Sequence, residues 1–382
     1  MASRTWPAYV GVATAGYLLY TLGAVGPYLR SQLGLSGAEV GLHSTAVAVG
    51  LIVAGAFAAD LARHFGELRV RGAALGALVV AILTLAWAPA IGATMAAAAI
   101  IGFGAGTVLG YSNAALGGPG GRLARVHLAR SGVWGILAGF VGPGVVATGA
   151  SLGPGWWLGP VASIGLLALI AFDLRSGPGI EPPPRHDPED GRLPRGFWLA
   201  WVFLVAAIAV EFTVVFWGAT LVQHRTQVLL PEATAIGTLF IGGMLVGRLG
   251  LSAGLGAGQE IQRVGGLGLA LALAGAFLVW LSTTVPFSGL GLFVTGLGVA
   301  VLYPLGIAAA LAGAPGQAAL AGNRLTMATG TALLFAPFAL GAIADLAGVV
   351  AGWSVVPGLV ALALVLLFVL PRERVAGATA EG

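Results

Sequence analysis

The sequence predicts an all-α, polytopic membrane protein with twelve transmembrane helices in two six-helix halves. Composition is the first reason: 58% of the 382 residues are hydrophobic and 8% are charged, which is too little polar surface to coat a soluble globule. The mean hydropathy of +0.96 agrees. The second reason is that long apolar runs alternate with short loops that hold most of the arginines. A helix needs about 20 apolar residues to cross a bilayer, so twelve crossings occupy nearly the whole chain.

The apolar runs place the spans in order along the chain. The first run, residues 7–29, is longer than a signal-peptide core and lacks a convincing cleavage site, so we interpret it as a retained first span. The first half is predicted to span near residues 8–30, 39–62, 72–91, 93–116, 132–152 and 156–174. The second half is predicted to span near residues 197–223, 233–254, 264–284, 287–312, 325–345 and 350–370.

The arginines predict the orientation of these spans, because Lys and Arg are retained on the cytoplasmic side and the chain has no lysine. With the N-terminus inside, only Arg30 and Arg225 lie outside, and each closes the first helix of its half, which indicates an internal duplication. Both termini are then cytoplasmic, and we expect a multi-pass protein of the inner (plasma) membrane. The cytoplasmic set is Arg4, Arg63, Arg69, Arg71, Arg122, Arg125, Arg130, Arg175, Arg185, Arg192, Arg195, Arg248, Arg263, Arg324, Arg372 and Arg374.

Three segments follow from this pattern. Residues 1–174 form an N-terminal six-helix bundle, and residues 196–382 form a C-terminal six-helix bundle with a short cytoplasmic tail. Between them, residues 175–195 are polar and proline-rich, so they are interpreted as a cytoplasmic linker.

Twelve spans in two halves, with termini and central loop inside, resemble the major facilitator superfamily of secondary transporters over the whole chain. The loop between helices 2 and 3 resembles the superfamily's acid and arginine motif, in degenerate form. An acid beside arginines at a helix end can form charge pairs that gate a pathway, although the arginines also suffice simply to orient the loop. The motif residues here are Ala56, Asp60, Arg63, Gly66, Arg69 and Arg71.

Further patterns resemble the fucose-permease-like branch of proton-coupled carriers. They are Gly102, Gly104, Gly106 and Asn113 in helix 4; Glu211 and Trp217 in helix 7; Gly243, Met244, Gly247 and Arg248 in helix 8; and Gly296, Gly298 and Pro304 in helix 10. The acids that this branch uses on helices 1 and 4 are missing. Gly142 and Pro143 resemble the helix 5 pattern of antiporters, and a packing kink also explains them.

Glu211 is the candidate proton-coupling residue. It lies about 14 residues into helix 7, near the bilayer midplane. A charge there costs about 2.5 to 3.5 kcal/mol, so the carboxyl is expected to face a cavity or to be protonated. A purely structural hydrogen bond between helices is the alternative.

Other polar residues are candidates for the substrate pathway, because the resemblance implies a cavity lined by helices 1, 4, 7 and 10. On helix 1 they are Tyr17, Tyr20 and Thr21. Asn113 and Tyr303 lie toward the inner ends of helices 4 and 10, where they line a vestibule or bond neighbouring helices. Trp217 either stacks on a sugar-like ring or anchors helix 7 at the outer interface.

Three more residues are expected to have mainly structural roles. Arg248 and Arg324, near the inner ends of helices 8 and 11, snorkel to the interface or pair with an acid and belong to the gating candidates. His43, near the outer start of helix 2, is expected to be a solvated interfacial histidine.

Several function classes are excluded. An ATP-driven pump is excluded for this chain alone, because a phosphate-binding loop ends in lysine and serine or threonine and the chain has no lysine. Histidines at metal-ligand spacing and paired acids are also missing, so we expect no enzyme, no metal and no cofactor. Arginines spread over many loops do not form a nucleic-acid surface.

The sequence therefore predicts a monomeric secondary transporter that moves a small solute, sugar-like or a related metabolite, by alternating access with proton symport. Proton-antiport efflux of hydrophobic compounds is one alternative. A membrane sensor with the same fold but no transport is another.

Overall fold

The computed structural model describes residues 5–87, 90–117, 121–153, 155–176, 193–256, 258–314 and 317–370. Most of the predicted linker, residues 177–192, and the tail, residues 371–382, lie outside this set, as does Arg4. The arginines of those segments, Arg185, Arg192, Arg372 and Arg374, lie outside it too, as do the side chains of Arg122, Arg125 and Arg175. The chain divides into two compact units, unit 1 (Met1–Pro184) and unit 2 (Arg185–Gly382).

Every regular element in the described residues is a helix, as predicted. Unit 1 contains α1 (Trp6–Leu33), α2 (Gly37–Phe65), α3 (Glu67–Trp87), α4 (Ile91–Gly117), α5 (Gly121–Leu152) and α6 (Leu158–Ser176). Unit 2 contains α7 (Arg195–Thr226), α8 (Leu230–Ser252), α9 (Ile261–Leu281), α10 (Val285–Val299), α11 (Leu302–Ala312), α12 (Ala318–Ala347), α13 (Val349–Gly352) and α14 (Val355–Val369).

These helices make a multi-pass membrane protein. Among the described residues, 11 helices are long and apolar enough to cross a bilayer, with α10–α11 and α13–α14 each counted as one span. A further, shorter apolar helix, Leu158–Leu174, occupies the predicted sixth span. Several helices run past the predicted limits, for example α5, which begins at Gly121, because polar residues at a helix end extend beyond the apolar core.

The tenth span, predicted near residues 287–312, is confirmed as Val285–Ala312, but it is not one continuous helix. The helix is interrupted between Val299 and Leu302. Pro304 explains the break, because proline has no backbone N–H to bond the carbonyl four residues earlier, which is that of Ala300. The twelfth span is interrupted after Gly352, where Pro357 cannot donate to the Trp353 carbonyl and that carbonyl accepts from the Val356 N–H at 2.9 Å instead.

Within each unit the first helix is the most enclosed. In unit 1, α1 packs against α4, α5 and α6, while α2 and α3 pack on α4. In unit 2, α7 packs against α11, α12 and α14, while α8 and α9 pack on α10. The same order of helix contacts in both units agrees with an internal duplication.

Glycines set the closest contact between α2 and α4. A Cβ added at Gly102 would collide with the Val47 carbonyl, and one added at Gly50 would collide with the Ala99 carbonyl. Only glycine allows two backbones to approach this closely.

The contact is repeated in unit 2, between α8 and α10. A Cβ at Gly296 would collide with the Phe240 carbonyl, and one at Gly243 with the Phe293 carbonyl. Each glycine meets a carbonyl three residues before the opposing glycine, as in α2 and α4. The glycine patterns of helices 4, 8 and 10 thus have the packing role that close helix approach requires.

Candidate functional site

Glu211 is a buried acid in the middle of α7. Its side chain is 7% exposed, and Val210 and Phe212 beside it are also buried. α7 packs against α8, α11, α12 and α14 of the same unit. A buried carboxyl is stable only when it is neutral or has polar or charged neighbours.

Arg248 and Tyr303 contact each other in unit 2. The guanidinium of Arg248 in α8 lies over the Tyr303 ring in α11, 5.3 Å from its centroid. Tyr303 in turn lies within electrostatic range of Glu211. Three residues from three different helices, all singled out in the sequence, therefore gather in one cluster, which we call the Glu211 cluster.

Arg248 also forms a hydrogen bond to the backbone at the break in the tenth span. Its Nε donates a hydrogen bond of 2.8 Å to the Ala300 carbonyl. That carbonyl is the one that Pro304 leaves without its helical partner. Arg248 is thus fixed between a backbone carbonyl and an aromatic face, an arrangement that suits the planar guanidinium better than an ammonium group.

The chemistry of the Glu211 cluster follows from its three groups. A carboxyl changes charge when it takes up a proton, a guanidinium keeps its charge, and a phenol donates and accepts hydrogen bonds. Protonation of Glu211 therefore changes the net charge of the cluster by one inside a largely apolar bundle. Both the carboxyl and the guanidinium are also suited to bind hydroxyl groups of a solute.

Trp217 lies inside unit 2. Its side chain is 1% exposed, and its indole N–H donates a hydrogen bond of 2.9 Å to the Pro337 carbonyl of α12. This contact ties α7 to α12 next to the proline inside that helix. The indole is therefore enclosed by protein, and its polar edge is bonded to the backbone.

The helix 1 candidates face other helices of unit 1. Tyr17 donates a hydrogen bond of 2.8 Å to the Gly159 carbonyl. Tyr20 is 6% exposed, and its ring packs against Gly139 of α5. A Cβ added at Gly139 would collide with this ring. Thr21 is 1% exposed, and its hydroxyl has no hydrogen-bond partner among the described residues.

Asn113 is exposed near the end of α4, while its neighbours face inward. A small cavity between α1, α3, α4 and α6 is lined by Arg71, Thr107, Tyr111 and Ser112, among others. The buried Tyr111 hydroxyl has no hydrogen-bond partner among the described residues.

Two ion pairs lie at the adjoining ends of α2 and α3, one exposed and one enclosed. Asp60 and Arg63 pair on the surface, where their side chains are 50% and 35% exposed. Gly66, at a φ of 90°, ends α2, and Arg69 is exposed.

The second pair joins Arg71 to Glu67 at 2.9 Å, with side chains only 14% and 11% exposed. The Arg71 guanidinium also lies 5.3 Å from the centroid of the Tyr111 ring. Glu67 was not among the residues predicted from the sequence, although its position four residues before Arg71 on a helix was an available signal.

Arg324 is exposed on α12. Its backbone carbonyl accepts a hydrogen bond of 2.8 Å from the Trp201 indole of α7, and its guanidinium lies near the Met327 sulfur. The described residues place no acid in an ion pair with this side chain.

Comparison with known proteins gives matches only to solved structures. No protein-family model and no curated protein sequence matches the chain. The chain is similar to the xylose transporter XylE from E. coli, with a TM-score of 0.75, 14% identity, and 97% of each chain covered. It is also similar to the nucleoside transporter NupG, with a TM-score of 0.67, 14% identity, and 95% of this chain and 98% of that one covered.

A third similar structure is that of the human organic anion transporter MFSD10 (TETRAN). Its TM-score is 0.61 at 20% identity, with 94% of this chain and 99% of that one covered. All three similar structures are transporters rather than enzymes, and the similarity extends over both units.

Proposed function

Because the chain has the fold of major facilitator superfamily transporters, we propose that it is a secondary transporter that moves a small solute by alternating access. The observation that carries this proposal is the Glu211 cluster. A multi-pass protein that keeps an acid, an arginine and a tyrosine together inside one bundle maintains polar groups that an architectural role alone does not need, since intramembrane charge is costly.

Proton coupling is the second part of the proposal. Glu211 is the group in the cluster that can take up and release a proton near neutral pH, because arginine stays charged and tyrosine stays neutral there. Proton binding on Glu211 removes a negative charge that acts on Tyr303, the ring that Arg248 covers, and Arg248 bonds the backbone at the break in the tenth span. A proton on Glu211 is therefore expected to change the conformation at the break between α10 and α11.

The solute is proposed to be sugar-like or a related metabolite. A carboxylate and a guanidinium in one site have balanced charge, which suits a neutral molecule with several hydroxyl groups. Two of the similar structures are named as carriers of such molecules, xylose and nucleosides. Tyr17, Tyr20 and Thr21 of helix 1 stay proposed residues of the substrate pathway, with the Tyr20 and Thr21 side chains packed inside unit 1 and with only acceptor lone pairs left on the Tyr17 hydroxyl.

The finer features of the sequence analysis remain proposals. They are the fucose-permease-like branch, the cytoplasmic position of the termini and of linker 175–195, the inner (plasma) membrane and the monomeric state. The charge pattern of the loops supports the orientation, and the branch rests on the motif residues of helices 4, 7, 8 and 10.

Counterflow in proteoliposomes tests the proposal. Vesicles are loaded with xylose, uridine, an organic anion or a hydrophobic cationic dye, and entry of the labelled form of each is measured. We expect counterflow with a sugar-containing solute, and we expect Glu211→Gln to keep counterflow but to lose accumulation driven by a proton gradient.

The other outcomes of the counterflow experiment would favour other functions. Counterflow of the dye alone would favour efflux of hydrophobic compounds, and no counterflow with any solute would favour a non-transporting sensor. Trp134→Phe, at a side chain 53% exposed, is the matched control for reconstitution.

A further inference from the structure

His43 is a buried histidine in the second turn of α2. It is 6% exposed, whereas His64 of the same helix is exposed and His127 of α5 is partly exposed. The expectation that His43 is a solvated interfacial residue is therefore wrong. Its ring lies between α2 and α4, the two helices joined by the Gly50–Gly102 contact.

Both ring nitrogens of His43 are hydrogen-bonded. Nδ1 lies 2.8 Å from the Glu39 carbonyl, and Nε2 lies 2.9 Å from the Thr94 hydroxyl. The Thr94 hydroxyl also lies 3.0 Å from the Ile91 carbonyl, to which it donates. A carbonyl only accepts, so Nδ1 must carry a proton.

The protons in this series of three hydrogen bonds can be counted. Thr94 has one hydroxyl proton, and if it points at the Ile91 carbonyl, then Nε2 must donate to Thr94 and the imidazole carries two protons. If the hydroxyl proton points at Nε2 instead, the imidazole is neutral and the bond to Ile91 is lost. All three hydrogen bonds exist together only when His43 is doubly protonated.

Burial disfavours the charged imidazole, and the hydrogen bond to the Glu39 carbonyl and the nearby Glu39 charge offset part of that cost. α2 is packed against α1, α3 and α4. On α2 itself, Glu39 interacts electrostatically with His43. α1 contributes Arg30, which donates to the Leu35 carbonyl, and Tyr28, which stacks on Trp156.

The other two neighbouring helices add nothing that titrates. The C-terminal half of α3 and the N-terminal half of α4 carry no titratable side chain. A charge inside the bundle is costly unless it is hydrogen-bonded, and the Glu39 carbonyl and the Thr94 hydroxyl supply those bonds.

We propose that His43 is a proton-binding site of unit 1, in addition to Glu211 in unit 2. The His43–Thr94 hydrogen bond links α2 to α4 in both states: proton uptake lets Nε2 donate to Thr94 and leaves the Thr94 hydroxyl free to bond the Ile91 carbonyl, and proton release reverses the Thr94 hydroxyl and breaks the bond to Ile91. The site rests on the proposed function only for its role in transport, where it supplies unit 1 with a proton-binding group although α1 and α4 contain no acid.

Nitrogen NMR of histidine side chains tests the site directly in the full chain in lipid nanodiscs, between about pH 5 and 8. The His43 signals are assigned by their loss in His43→Gln. We expect the doubly protonated share of His43 to rise as the pH falls through this range, with weaker doubly protonated signals at each pH in Thr94→Val and native behaviour in Thr94→Ser. A neutral His43 at every pH, or a Thr94→Val variant that titrates like the native chain, would overturn the proposal.

Two controls keep the test decisive. If His43→Gln does not fold, the His43 signals are assigned by elimination instead, from variants that remove the four other histidines, which are His64, His127, His186 and His224. The experiment uses no solute and leaves Glu211 intact, so a failure of transport does not mimic a failure of the histidine site.

Discussion

Arg248 donates its Nε hydrogen bond to the Ala300 carbonyl, the acceptor that Pro304 leaves unpaired in the tenth span. One side chain thus connects the charge of the Glu211 cluster to the break between α10 and α11. The same guanidinium covers the Tyr303 ring, so its position is determined on two sides.

Removing this guanidinium should destabilise unit 2 and stop transport. In Arg248→Gln we expect a loss of about 1 to 3 kcal/mol, the cost of leaving a buried carbonyl without a partner. Thermal unfolding in detergent measures the stability, and counterflow measures the activity.

The double variant Arg248→Gln, Pro304→Ala separates the two effects. Alanine at residue 304 restores an N–H for the Ala300 carbonyl, so stability should recover while transport should not. Recovery of both would reduce Arg248 to a structural role, and recovery of neither would mean that the carbonyl does not determine its effect.

The backbone contacts between α2 and α4 and between α8 and α10 should not tolerate a methyl group. Gly102→Ala and Gly296→Ala are each expected to lower the unfolding temperature or abolish expression, because the added Cβ meets a backbone carbonyl. Gly110→Ala is the matched control in α4, since a Cβ there has no neighbour within 4 Å. Equal losses in Gly102→Ala and Gly110→Ala would argue against the contact.

The indole of Trp217 should matter for stability through its N–H. Trp217→Phe removes the donor to the Pro337 carbonyl, and we expect a loss of at least about 1 kcal/mol from the hydrogen bond alone. Trp134→Phe, at a side chain 53% exposed, should cost little. A Trp217→Phe variant as stable as the native protein, with weaker solute binding, would instead favour a role in stacking on the substrate.

The two ion pairs of the α2–α3 loop should differ in strength. Glu67→Gln leaves the enclosed Arg71 without its partner, and we expect a loss of several kcal/mol at most, toward the roughly 3 to 5 kcal/mol seen for fully buried pairs. Asp60→Asn breaks an exposed pair and should cost about 0 to 1 kcal/mol. Chemical unfolding of both variants in the same detergent compares them, and a larger loss in Asp60→Asn would contradict the assignment.

Much of the fold could be predicted because hydrophobicity along the chain is a local signal. Spans, helical class and the glycine-rich helices follow from it, and the proline at residue 304 was visible in the sequence. The partner of the Ala300 carbonyl was not, because Arg248 comes from another helix and the direction of a long side chain depends on packing. The burial of His43 and of Trp217 was missed for the same reason, since position along a span does not specify which neighbour a side chain faces.

The measurement that tests the central claim most directly is the pH outside weakly buffered proteoliposomes after addition of the solute identified by counterflow. We expect the native protein to take up protons with the solute, so that the external pH rises, and we expect Glu211→Gln to transport solute in counterflow without this change. Solute-dependent proton movement that persists unchanged in Glu211→Gln would contradict the assignment of Glu211 as the coupling residue.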